Sequence, residues 1–197
     1  MVSIALESSE RLTRLIEDML DIERMESGSL AMTTVDCRSA ELVSTALNVV
    51  EVMATQYGVT IITGRLVGTV RGDPDRVVQV LTNLLSNAIK FSPPGGRIRL
   101  SSVLREEMVE FSVVDQGRGV PLDKVLSIFE RFEQVDSSDA REKGGTGLGL
   151  SISRSIVERL GGRIWAENNV EGGSTFSFTL PRATPPGQDE LLPAEPR

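Results

Sequence analysis

An α+β fold entered through one long amphipathic helix is what this sequence predicts. Three observations carry the prediction. Helical and strand periodicities interleave from about residue 33 to 182. A strong helix start stands at Gly72-Asp73-Pro74-Asp75, and a Pro-Pro-Gly-Gly turn at 93–96 feeds two alternating strands. The chain is 197 residues, 40% hydrophobic and 25% charged, enough for one compact domain with an appended element.

Residues 3–26 set Leu12, Leu15, Ile16, Met19, Ile22 and Met25 at spacings of three and four, an amphipathic helix stopped by Gly28. No second long helix stands beside it in the sequence, so the stripe is expected to pack on another chain or on a segment upstream. A short strand is predicted at 33–36. A helix follows at 39–57 with Leu42, Val43, Ala46, Val49, Val50 and Met53 on one face, then strands at 59–63 and 68–71. Asp73 can cap the next helix, Pro74 suits its first position and Asp75 complements its dipole. That helix runs to Phe91. The turn at 93–96 leads into strands 97–104 and 108–115, a predicted hairpin. Residues 115–146 are polar and Gly-rich, too long for a plain connection, with one short helix expected at 122–132. Phe129 and Phe132 would tether that helix. A helix at 147–160 and strands at 162–167 and 173–180 complete the pattern. Residues 183–197, with four prolines, read as a disordered tail.

Composition excludes several functions. The net charge of -7 argues against a broad nucleic-acid footprint. A lone cysteine, Cys37, forms neither an intrachain disulfide nor a cysteine zinc cage and fits a reduced, cytoplasmic setting. No run of apolar residues is long enough to span a membrane, and the N-terminus lacks a secretory pattern. The chain has no histidine, which removes Ser-His-Asp and Cys-His mechanisms and imidazole metal sites.

Three clusters carry chemistry. Asn83, Asn87 and Lys90 lie on one face of the 74–91 helix. Three polar residues can be a plain solvent stripe, but two amides and an ammonium also suit a hydrated Mg²⁺ and the phosphates it bridges. Asp115-Gln116-Gly117-Arg118-Gly119 follows an apolar strand: a carboxylate fixed there can accept from an exocyclic amine, though the motif alone also fits a simple turn. Gly144-Gly145-Thr146-Gly147-Leu148-Gly149-Leu150 opens a helix. Its free amides can cradle phosphate, or the glycines can be a hinge. It matches neither the dinucleotide nor the Walker pattern. Arg141 and Lys143 add local positive charge.

In order, Asn83 to Pro93, Asp115 to Gly119, Ile128-Phe129-Glu130-Arg131-Phe132 and Gly145 to Leu150 resemble the N, first glycine, F and second glycine boxes of sensor histidine kinases. Residues 1–28 resemble the second helix of that family's dimerisation and phosphoacceptor region, cut short before its first helix. Residues 33–182 resemble the catalytic ATP-binding domain, with a lid at 115–146. The resemblance implies a two-layer α/β sandwich of Bergerat type, a mixed sheet backed by three helices. It implies that Asn87 holds Mg²⁺, Lys90 approaches the phosphates and Phe91 borders the nucleotide. Asp115 would bond the adenine amine, with Gly117, Gly119 and Thr175 close by. Lys143, Gly145, Thr146, Gly147, Leu148 and Gly149 would surround the phosphates. Asn83 stands where related ATPases carry a glutamate base, and an amide cannot take a proton from water, so transfer to a protein group is favoured over hydrolysis.

The implied function is transfer of the γ-phosphoryl group of Mg-ATP to a histidine outside this chain, for relay to a response regulator receiver domain. Asn83 and Lys90 would be the catalytic residues, and the full-length protein a homodimer through its N-terminal helix. The expected location is the cytoplasm, as a free protein or as the cytoplasmic part of a membrane-bound sensor. The alternatives are a nucleotide-binding or scaffolding pseudokinase module, and an ATP-driven machine of the gyrase or chaperone type, disfavoured by Asn83.

Overall fold

The computed structural model describes residues 2–27, 31–133 and 146–183. The elements are α1 (Val2–Glu26), β1 (Val35–Arg38), α2 (Ser39–Gln56), β2 (Thr60–Thr63), β3 (Thr69–Gly72), α3 (Pro74–Phe91), β4 (Arg97–Arg105), β5 (Met108–Val114), α4 (Gly149–Arg159), β6 (Arg163–Asn168) and β7 (Ser174–Pro181). Five strands form a sheet in the order β2-β4-β5-β7-β6. β2 runs parallel to β4 and the other pairings are antiparallel, so the sheet is mixed.

Strict alternation places Val109, Phe111 and Val113 of β5 and Phe176, Phe178 and Leu180 of β7 on one face. The Phe111 and Phe178 rings stack there with centroids 4.8 Å apart. α2, α3 and α4 cover that face and share its core. α3 lies between the other two and buries Val77, Val80, Leu81, Leu84, Leu85, Ala88 and Ile89. Its start follows the sequence reading: the Asp73 carboxylate accepts from Arg76 N–H at 3.2 Å, with Pro74 in the first turn. This is the expected two-layer sandwich with three helices behind a mixed sheet.

Several boundaries move, each for a local reason. The first strand sits at Val35–Arg38 rather than 33–36, because Thr33 N–H is taken by the other Asp73 oxygen at 2.8 Å while Val35 to Arg38 pair with β3. β2 starts at Thr60 because Val59 N–H closes the end of α2 on Ala54 O. The helix expected at 122–132 is a succession of turns. Lys124 N–H bonds Pro121 O, Ser127 N–H bonds Lys124 O and Glu130 N–H bonds Ser127 O at three-residue spacing, and the single four-residue bond, Ile128 N–H to Lys124 O at 2.9 Å, is not continued into a helical ladder. Phe129 is buried edge-on against Phe176, at 6.3 Å between centroids, but Phe132 is 64% exposed and is held by its backbone, N–H to Gly147 O at 3.1 Å. Val49, assigned by spacing to the buried face of α2, is 60% exposed, and Ala54 continues the buried stripe instead.

β1 and β3 form a second, two-stranded sheet that the sequence reading did not separate. Val70 of β3 also bridges Arg182, and Ala183 N–H donates to Thr69 O at 2.8 Å. Ala183 is therefore buried and bonded, although the sequence places it in a tail; residues 184–197 lie outside the described residues.

The apolar stripe of α1 divides. Leu15, Ile22 and Met25 pack against the core of the domain, so part of the stripe is satisfied within this chain. Leu12, Ile16, Met19 and Leu20 remain exposed. Polar bonds fix the docking: Asp21 accepts from Arg76 Nη1 at 3.0 Å and from Gln79 Nε2 at 2.9 Å, and Arg159 Nη2 donates to Met25 O at 2.7 Å. No helix among the described residues is long and apolar enough to cross a membrane.

Candidate functional site

The site grows from α3. Spacings of four and three put Asn83, Asn87 and Lys90 on the helix flank left free by its apolar positions, and all three are half-buried. Asn83 Nδ2 donates to Gly149 O at 3.2 Å and Ser153 Oγ at 3.3 Å, which ties α3 to the first turn of α4. Asn87 differs: its side chain has no hydrogen-bond partner among the described residues. A half-buried amide in that condition presents a carbonyl oxygen suited to a hard cation. Phe91 closes the helix with the Arg118 guanidinium 5.3 Å from its ring centroid.

Asp115 follows the last residue of β5 and is 3% exposed. Its Oδ1 accepts from Gly117 N–H at 2.7 Å and Ser174 N–H at 3.2 Å, so the carboxylate is held at one oxygen and oriented. Burial pushes the Asp115 carboxyl up from its ordinary value, against the opposing pull of the hydrogen bonds from Gly117 and Ser174. The glycines here are steric requirements. A Cβ on Gly117 would stand 2.7 Å from Phe91 O, which is what lets the loop lie against the end of α3. Gly119, at φ +79°, runs close to the Asn168 amide.

The N-terminus of α4 supplies the third part. Gly147 has φ +73°, and Thr146 Oγ1 accepts from Leu148 N–H at 3.2 Å and donates to Asp18 of α1 at 2.9 Å. Leu148 itself is fully buried, so its side chain anchors the loop in the core and only its backbone faces the turn. Gly149 abuts the Asn83 amide. Lys143 and Gly145 lie outside the described residues.

Thr175 lies close to Asp115 through Asn169, while the neighbouring Ser174 is the residue that meets the carboxylate itself. Successive strand residues point to opposite faces, and Ser174, 4% exposed, takes the inner one. Ser174 N–H donates to Asp115 Oδ1 at 3.2 Å. The Thr175 hydroxyl instead donates to Asn169 Oδ1 at 2.6 Å. Sequence reading also missed the turn between β6 and β7. Asn169 Nδ2 donates to Asp115 O at 3.4 Å, and Asn168 bonds both backbone groups of Val120. The only available signal was the placement of two asparagines and two glycines after a strand. Among the described residues no three acidic, histidine or cysteine side chains converge as a metal cage.

Residues 72–184 match the model of the histidine kinase-, DNA gyrase B- and HSP90-like ATPase family, a stretch that holds α3, the Asp115 loop, α4 and the β6–β7 turn. The chain belongs to that family. Within these ATPases its likeness is to the histidine kinases. It is 36% identical over 195 residues to the circadian input-output histidine kinase CikA of Synechococcus elongatus, covering 97% of this chain and 25% of that protein. It is 35% identical over 185 residues to the sensor histidine kinase WalK of Bacillus subtilis, covering 88% of this chain and 29% of that one. The chain thus spans 25% of CikA and 29% of WalK, less than a third of either protein. Among solved structures, full-length ShkA in complex with AMPPNP superposes with a TM-score of 0.81 at 28% identity, over 93% of this chain and 38% of ShkA. The catalytic domain of the histidine kinase ThkA superposes at 0.68 with 30% identity, over 77% of this chain and 97% of that domain. The Bergerat-type fold and the histidine-kinase type of catalytic ATP-binding domain expected from the four motifs are both found.

Proposed function

We propose that this domain transfers the γ-phosphoryl group of ATP to a histidine that is not among its own 197 residues. The observation that carries the reading is the buried Asp115 carboxylate, fixed through Oδ1 by two backbone amides beside the end of α3. Such a group accepts from the exocyclic amine of adenine and rejects a ring that presents a carbonyl there. Phe91 borders the ring. Asn87 Oδ1 would hold Mg²⁺, and the lack of a hydrogen bond to that side chain among the described residues supports the fit. The bound ion would neutralise charge developing on the phosphates. Lys90 and the backbone of 146–149 complete the electrostatic cradle.

In the transfer the bond from the γ-phosphorus to the bridging oxygen breaks and a bond to an imidazole nitrogen forms. ADP leaves, and the imidazole proton passes to water. Asn83 supports transfer over hydrolysis. Its amide donates to Gly149 O and Ser153 Oγ, a role that an ionised carboxylate base cannot play.

Residues 1–28 are read as the second helix of a dimerisation and phosphoacceptor region. Its exposed Leu12, Ile16 and Met19 form a homodimer face in the whole protein. A receiver domain is the downstream partner; ThkA has been solved in complex with the response regulator TrrA, superposing at a TM-score of 0.73 and 26% identity. A need for ATP as substrate fits a cytoplasmic domain.

The test mixes the chain with γ-labelled Mg-ATP and a helical hairpin bearing an acceptor histidine. Acid-labile, base-stable label on the hairpin is expected. Steady ATP hydrolysis without label would point to an ATPase, and nucleotide binding with neither outcome to a pseudokinase module.

A further inference from the structure

Asn168 is the last residue of β6, and its side chain does something a strand end does not require. Nδ2 donates to Val120 O at 2.6 Å while Oδ1 accepts from Val120 N–H at 2.7 Å. A primary amide that meets both backbone groups of one residue reproduces, with a side chain, the pairing of a β-ladder. These bonds cross 48 positions of sequence. The neighbouring Asn169 holds the other end of the same loop, Nδ2 to Asp115 O at 3.4 Å, and its Oδ1 is fixed in turn by Thr175 Oγ1. The six residues from Asp115 to Val120 are therefore gripped at both ends by one turn. Gly119 lies so close that a Cβ would stand 3.0 Å from Asn168 Oδ1.

We infer that Asn168 is a positioning residue of the nucleotide site, and that its two bonds to Val120 set the seat of the purine ring against Asp115. This rests on the nucleotide reading given above. Asn168 touches no reacting group; it acts through the loop whose first residue reads the base. With Val120 released, the loop gains freedom between Asp115 and the turns at 121–133, and the contact to the exocyclic amine is what suffers. Phosphate contacts come from α3 and α4 and are untouched.

The full chain is used, as wild type, as Asn168→Ala and as Val170→Ala, a fully exposed position in the same turn. Calorimetry measures Mg-ADP and Mg-GDP binding, and amide exchange at 117–124 is followed without nucleotide. Asn168→Ala should weaken ADP about tenfold, leave GDP unchanged and so narrow the ADP preference about tenfold. Exchange at Val120 should quicken. Val170→Ala should match wild type. Equal loss of ADP and GDP binding, or faster exchange at Val120 with ADP affinity intact, would overturn the positioning role. If Asn168→Ala does not fold, Asn168→Ser, which keeps a single hydroxyl in place of the amide pair, should show the same narrowing, and an unchanged preference there overturns the inference. A wild-type chain with no preference for ADP overturns the nucleotide reading and this one with it, a result distinct from any variant effect.

Discussion

Gly173 and Gly172 are adjacent, both have positive φ, and substituting alanine at each separates two energies that usually come together. Gly172 is at φ +93° with nothing within 4 Å of a Cβ. Gly172→Ala therefore carries only the cost of a left-handed alanine, about 1–2 kcal/mol. Gly173 is at φ +84°, but there a Cβ would stand 2.1 Å from Asp115 O, 2.8 Å from Asp115 C and 2.9 Å from Gln116 Cα. Those atoms are backbone and cannot rotate away. The turn must retreat from the Asp115 strand, which adds an overpacking cost of about 1–3 kcal/mol and loosens the Ser174 bond to the carboxylate. Gly173→Ala is thus expected to lose about 2–5 kcal/mol in urea unfolding, roughly twice the loss for Gly172→Ala, and ADP affinity should fall only in the former. Equal losses for the two variants, or intact ADP binding in Gly173→Ala, would refute the close approach as the reason for glycine.

Three further outcomes follow from described features. Because the buried Asp115 carboxyl titrates above its unfolded value, the native state keeps its proton longer, so unfolding free energy falls as pH rises from about 4 through the native value. Asp115→Asn should flatten that part of the stability profile, and an unchanged profile refutes the burial argument. Phe129→Ala, emptying a 6% exposed site against Phe176, should cost about 3 kcal/mol, whereas Phe132→Ala at 64% exposure should stay within about 0.5 kcal/mol by thermal unfolding. Asp21→Ala removes the acceptor of both Arg76 and Gln79 and should quicken proteolysis of α1 with the domain intact; unchanged cleavage refutes the docking.

The helices were legible because their signals are local. The bounds of α3 follow from Asp73, Pro74 and the turn after Phe91, and every residue of its buried stripe lies at helical spacing. The sheet's hairpin was equally plain, from alternation on either side of a short turn. What escaped depends on partners distant in sequence. That Val70 pairs with β1 and also bridges Arg182 cannot be read from either segment alone. Ser174 and Thr175 are both small hydroxyl residues, and only the pleat phase against Val113 and Val114 says which faces Asp115. Asn168 and Asn169 look like ordinary turn formers until Val120 and Asp115 are brought beside them. The split of the α1 stripe was hidden for the same reason, since one apolar face can serve two neighbours.

β3 binds the strand that enters the domain on one side and Arg182, where the chain leaves it, on the other. Entry and exit therefore lie side by side, and the folded loop between them is closed like a purse. A tension applied across the two ends bears on this small seam before it reaches the five-stranded sheet. The seam is also where the polypeptide could be rejoined and reopened elsewhere, at the exposed Pro93-Pro94-Gly95 corner, without altering the order of strands around the nucleotide site.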